Sequence, residues 1–147
     1  MCELDEQVLK WLKKHEGETF PSPRYKISKR KKHKIRIVRV GPGSVEIEFV
    51  GSPYRALPLY FWMFDRTLAY LRKNRVRAIR LGSKVQPPYE PDTIEEQIWK
   101  DENDISPYKA APHVCNILAL AGLVEYVLVE NPVTGRRVQA VKLTEEE

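Results

Sequence analysis

The sequence predicts an α+β domain: an amino-terminal helix and β-hairpin packed on a unit of helix, strand, two further helices and a second hairpin. Three observations lead there. Four segments repeat apolar residues at helical spacing, others alternate apolar and polar residues with period two, and glycine or proline stands at most of the joints. The chain of 147 residues, 42% hydrophobic and 31% charged, has the size and balance of one domain. At that length a chain buries roughly 70% of its unfolded surface, so it folds without needing a disulfide or a metal.

Residues 3–16 place Leu4, Val8, Trp11 and Leu12 on one helical stripe, and Gly17 ends it. Strands over 35–40 and 44–50, joined by Gly41-Pro42-Gly43, read as a hairpin with Val45, Ile47 and Phe49 inward and Glu46 and Glu48 outward. The step Ile37-Val38 breaks the alternation, as a bulge or a strand covered on both faces would.

Pro58 suits the first turn of a helix running to Lys73, with Leu57, Phe61, Phe64, Leu68 and Leu71 as its apolar stripe and Asn74 as its stop. Five large residues in succession, Tyr60 to Phe64, cannot share one core, because a helix turns about 100° per residue. Another element must cover the remainder: the amino-terminal helix with Trp11, ahead of a second copy of the chain in a homodimer.

Val76 to Leu81 reads as a short strand before Gly82, and 86–91 as a loop. Asp92 and Glu95 have the spacing of a capping box, opening a helix through Ile94, Ile98 and Trp99. Ser106-Pro107 opens a helix to Ala121 with Gly122 as its stop, and Pro112 inside it predicts a kink or a fresh start. Residues 124–129 and 137–143 form a closing hairpin whose tip carries Pro132 and Gly135.

Charge is segregated along this frame. The net charge is +5, yet residues 19–45 carry +9 and residues 66–84 carry +7, neither with a single acid, while 85–106 carry −6. The two basic segments hold 16 of the 25 lysines and arginines. The densest run is Lys29-Arg30-Lys31-Lys32-His33-Lys34, followed by Arg36, and the second segment contributes Arg75, Arg77 and Arg80. Phosphate backbones are the commonest partners of such blocks, because neutralising phosphates releases counterions. The bland alternative is a solvated charged face.

Chemistry-bearing patterns are missing. Cys2 and Cys115 are far apart, His15, His33 and His113 are scattered, and no glycine-rich phosphate loop occurs. Glu46 and Glu48 share a strand face but lack the further groups a metal nuclease needs, and Cys115 sits beside an apolar helix face as a small core residue. The expectation is a binding protein with no enzyme activity, no cofactor and no metal. No apolar run reaches the roughly 18 residues of a membrane span, and the amino end, Met1 to Glu6, is acidic, so a cytoplasmic location away from membranes is expected.

The order of elements from residue 58 to 143 resembles the winged helix-turn-helix superfamily. Ala119-Leu120-Ala121-Gly122-Leu123-Val124-Glu125-Tyr126 is similar to the close of that family's third helix on a glycine before the first wing strand, and Asn131-Pro132-Val133-Thr134-Gly135-Arg136-Arg137 to its basic wing tip. The resemblance divides the chain into residues 1–57, a helix plus basic hairpin extension, and residues 58–147, a winged-helix-like domain. It implies that 107–121 is the helix that enters the major groove of DNA, with Lys109, His113 and Asn116 at i, i+4 and i+7 on its outer face and Arg136 and Arg137 on phosphates. Against that mode, the segment before this helix is the acidic one. Duplex DNA is therefore the expected partner, as for a transcriptional regulator or chromatin-associated protein, gripped mainly by the two basic segments. The alternatives are RNA, or a protein-interaction module that docks by the acidic segment and the third helix.

Overall fold

In a computed structural model, residues 6–21, 23, 34–49, 57–75, 77–82, 91–99, 110–132 and 134–144 are described. They form a mixed α+β structure with four helices and two antiparallel sheets. Helix α1 (Glu6–Lys14) has an acid in its first turn and lysines in its last, matching the helix dipole, and buries Val8 and Leu12. Gly17, at φ +87°, ends it and donates its N–H to the Ile37 carbonyl at 2.6 Å. That bond delivers the chain straight into a sheet.

The first sheet has the order β1 (Thr19–Pro21), β2 (Lys34–Val40), β3 (Ser44–Phe49), β4 (Leu57–Tyr60), each pair antiparallel. The β2–β3 hairpin and the bulge between Ile37 and Arg39 match the sequence reading. The strands on either side of it do not. Pro58 lies in β4, opposite Glu46, and not in the first turn of a helix. Proline is tolerated there because an edge strand leaves one side of its backbone without a ladder partner. One face of the sheet is buried, through Ile35, Ile37, Val45, Ile47 and Leu59, and Lys34, Arg36, Arg39 and Tyr60 alternate onto the other.

Helix α2 (Phe61–Lys73) therefore starts three residues later than expected, with Tyr60 as its N-cap. It buries Phe61, Met63, Phe64, Leu68 and Leu71 and stops at Asn74, whose side chain donates to the Tyr70 carbonyl at 2.9 Å. Strand β5 (Ile79–Arg80) follows, then α3 (Ile94–Trp99), α4 (Ala111–Leu120), β6 (Val124–Glu130) and β7 (Arg137–Leu143). The second sheet has the order β5-β7-β6. The fresh-start reading of Pro112 is the observed one, since it stands in the first turn of α4, where its missing N–H costs no helical bond. At the other end Gly122, at φ +85°, closes α4 in a Schellman motif: its N–H donates to the Ala119 carbonyl at 3.1 Å and that of Leu123 to the Leu118 carbonyl at 2.9 Å.

One apolar cluster runs from Val8 and Leu12 through the inner face of the first sheet to α2, α3, α4 and the second sheet. Cys115 lies within it. The helix and hairpin at the amino end thus share a core with everything that follows.

Candidate nucleic-acid interface

The expected binding residues divide into four sets. Lys29, Arg30, Lys31, Lys32 and Lys109 lie outside the described residues. Lys34, Arg75, Arg136 and Arg137 are exposed. Arg36, Arg77 and Arg80 are engaged by neighbours, and His113 and Asn116 are buried.

On the outer face of the first sheet, Arg36 pairs with Glu48 at 3.1 Å and Arg39 with Glu46 at 3.4 Å, each across the β2–β3 ladder. The two glutamates are thus cross-strand partners of arginines. All four side chains are at least a third exposed or close to it, so these pairs contribute little to stability and can exchange for phosphate. Lys34 begins the same strand on the same face.

Arg77 is tied more firmly. Its Nη2 donates to Asp92 Oδ2 at 2.5 Å and its Nη1 to Asn74 Oδ1 at 3.0 Å. Tyr70 donates to the other oxygen of Asp92. Asp92 holds φ at +60°, a conformation a side chain disfavours, and its own N–H donates to Glu96 Oε1 at 2.9 Å. Burial alone would raise the Asp92 carboxyl, but hydrogen bonds from Tyr70 and Arg77 and the charges of Arg77 and Arg80 together hold it below its usual range. Burial and the bond to Asp92 push the Tyr70 phenol up to about 12, and Asp92 in turn raises Arg77. This knot joins the end of α2 to the turn before α3. Arg80 donates to the Pro91 carbonyl at 3.3 Å, beside it.

The helix expected to read bases is enclosed. His113 is 9% exposed and Asn116 1%, and Asn116 Oδ1 accepts from the Tyr126 hydroxyl at 2.6 Å. The outer-face placement is therefore corrected: no residue of α4 falls in the exposed class. Spacing put the polar stripe opposite the apolar one, but Tyr126 of β6 packs on that side too.

What holds α4 in place lies outside the expected set. Glu95, 1% exposed, accepts from the Trp99 indole at 2.6 Å and from the backbone N–H groups of Ala110 and Ala111 at 3.0 and 2.9 Å. It therefore caps the next helix, α4, and the box at α3 is built one residue along, with Thr93 Oγ1 accepting from the Glu96 N–H at 3.3 Å. The sequence carries no signal of this role, because the two capped N–H groups lie fifteen and sixteen residues further on.

In the turn between β6 and β7, the Asn131 N–H donates to the Arg136 carbonyl and that of Gly135 to the Asn131 carbonyl, both at 2.8 Å, with Gly135 at φ +76°. This closed turn presents Arg136 and Arg137 to solvent. The aromatic run divides as helical geometry demands. Phe61, Met63 and Phe64 enter the core, while Trp62 meets Trp99 edge-on and Tyr60 points outward. Trp11 packs instead on His15 and Phe20, with centroids 4.6 and 5.2 Å away.

No group of three or more His, Cys, Asp or Glu side chains able to hold a metal occurs among the described residues, and no helix among them is long and apolar enough to cross a membrane. Comparison with protein-family models, curated proteins and solved structures finds no match.

Proposed function

We propose that this chain is a nucleic-acid-binding protein built on a winged helix, with duplex DNA as its first target. The observation that carries the reading is the gathering of 16 cations into two acid-free segments, with Lys34 and Arg75 exposed among their described members. The winged-helix reading is supported by the element order α2-β5-α3-α4-β6-β7, by the sheet order β5-β7-β6 and by the exposed arginines of the closing turn. Binding runs through phosphates and not through α4, whose polar residues are buried.

Mobility shift with duplex, single-stranded and RNA probes tests this. Duplex affinity should fall steeply with salt, with a log–log slope of about −0.9 for each phosphate neutralised. Replacing Lys29, Arg30, Lys31 and Lys32 together by alanine should make the slope shallower by that amount for each phosphate the variant no longer neutralises. Affinity indifferent to salt would refute the reading. If the quadruple variant binds normally while Lys109→Ala abolishes binding, the recognition-helix mode is the correct one.

A further inference from the structure

Tyr60 is an exposed large aromatic residue, at 43%, that local structure does not require. It occupies the N-cap of α2, where serine, threonine, aspartate or asparagine would bond a free backbone N–H, and its side chain makes no capping bond. What it does make is a platform. Its ring lies parallel to that of Trp62, with 1° between planes and centroids 6.1 Å apart. Trp62 is braced edge-on by Trp99 at 5.9 Å, and the Arg66 guanidinium lies 4.6 Å from its centroid. Arg66 is fixed in turn by donating to the Ile98 carbonyl at 2.6 Å. A rigid stack of planar groups thus ends in a ring that reaches solvent.

The register sets what lies beside it. Tyr60 pairs with Ser44 at one end of β3, and Arg39 and Arg36 follow on the same outer face through their partners Glu46 and Glu48. From Ser44 to Glu48 is about 13 Å at ~3.3 Å per residue, a span of a few nucleotides. Arg66 would repel a cationic guest on the platform and attracts a planar guest joined to phosphates. Such phosphates reach Arg39 and Arg36 by exchanging with Glu46 and Glu48 in their exposed pairs. Bases within a duplex offer no free face to an aromatic ring, so the guest must be unpaired.

We propose that the outer face of the first sheet binds single-stranded nucleic acid, with an unpaired base stacked on Tyr60 and the adjoining phosphates over Arg39 and Arg36. This rests on the nucleic-acid reading above and adds to it a site that duplex cannot fill.

The test uses the full chain and fluorescence anisotropy with labelled oligo-dT, oligo-U of equal length and a mixed-sequence duplex. Tyr60→Ala should weaken single-strand binding about tenfold, since one stacked base is worth about 1–3 kcal/mol and 1.4 kcal/mol is tenfold. Duplex affinity should change less than twofold, and Tyr60→Phe and Tyr60→Trp should retain single-strand affinity. The relative affinities for oligo-dT and oligo-U assign the strand as DNA or RNA. Arg39→Ala, which leaves the aromatic stack intact, should make the single-strand salt slope shallower by about 0.7. Unchanged single-strand affinity in Tyr60→Ala, or equal loss for duplex and single strand, overturns the stacking site while leaving duplex binding standing. A wild-type chain that binds none of the probes overturns both readings.

Discussion

Replacing Glu95 tests whether one buried carboxylate holds two helices together. Its Oε2 accepts from the Trp99 indole and the Ala110 N–H, and its Oε1 from the Ala111 N–H. Glu95→Ala strands three donors in the interior, at about 1–3 kcal/mol each. Part of that is returned, because the carboxylate no longer has to be desolvated. The net loss should be about 3–5 kcal/mol, the lower part of the sum for three stranded neutral donors once that return is taken off. Glu95→Gln keeps one acceptor oxygen and turns an amide N–H₂ towards the remaining donor, so it should lose about half as much. Urea unfolding followed by tryptophan fluorescence measures both, since Trp99 itself reports on the bond, and unchanged m-values would license the comparison. At about 2–4 °C per kcal/mol for a chain of this size, Glu95→Ala should melt about 10 °C lower. An Ala variant within about 0.5 kcal/mol of the parent, the range of ordinary surface changes, would refute the cap.

Two further outcomes follow from the turn before α3. Gly82 sits at φ +100°, and a Cβ there would lie 3.0 Å from Thr93 Oγ1 and 3.1 Å from Glu95 Cβ, so Gly82→Ala should cost about 1–3 kcal/mol by thermal melting. The Tyr70–Asp92–Arg77 knot should make stability depend on pH at both extremes. Asp92 titrates lower folded than unfolded, so its contribution is present at neutral pH and lost as acid protonates it; Asp92→Asn should flatten the acid limb of the urea midpoint. Tyr70 titrates at about 12 against 10 when unfolded, so its contribution is whole below pH 10 and lost as pH rises through 12, and Tyr70→Phe should flatten the alkaline limb.

The parts legible in the sequence were those governed by local periodicity and by glycine. Val8 and Leu12 fixed the buried side of α1, Val45 and Ile47 the inner face of β3, and Gly122 the stop of α4. Elements that depend on distant partners were not legible. Thr19–Pro21 is too short for any period and is a strand only because β2 lies beside it. Pro58 carries the same local signal at the start of a helix as on an edge strand, and pairing with β3 decides between them. The surface basic residues were legible as a class, but Arg77 could not be told from Arg75, because its carboxylate partner stands fifteen residues away. Glu95 was hidden for the opposite reason. It belongs to an acidic segment whose composition says solvent, and only its bonds to Ala110 and Ala111 reveal a core residue.

The enclosure of α4 bears on how a nucleic acid could be recognised. For His113 and Asn116 to reach base edges, Asn116 would have to give up the Tyr126 hydroxyl and the strand β6 that covers it would have to move away. Exposed cations elsewhere on the surface are offered without any such rearrangement. Arg136 and Arg137 at the β6–β7 turn, Arg75 after α2, and Lys34, Arg36 and Arg39 on the outer face of the first sheet are already solvated. On the proposed reading, sequence preference would come from how readily the nucleic acid bends to those surfaces or unpairs, and less from base edges read by α4.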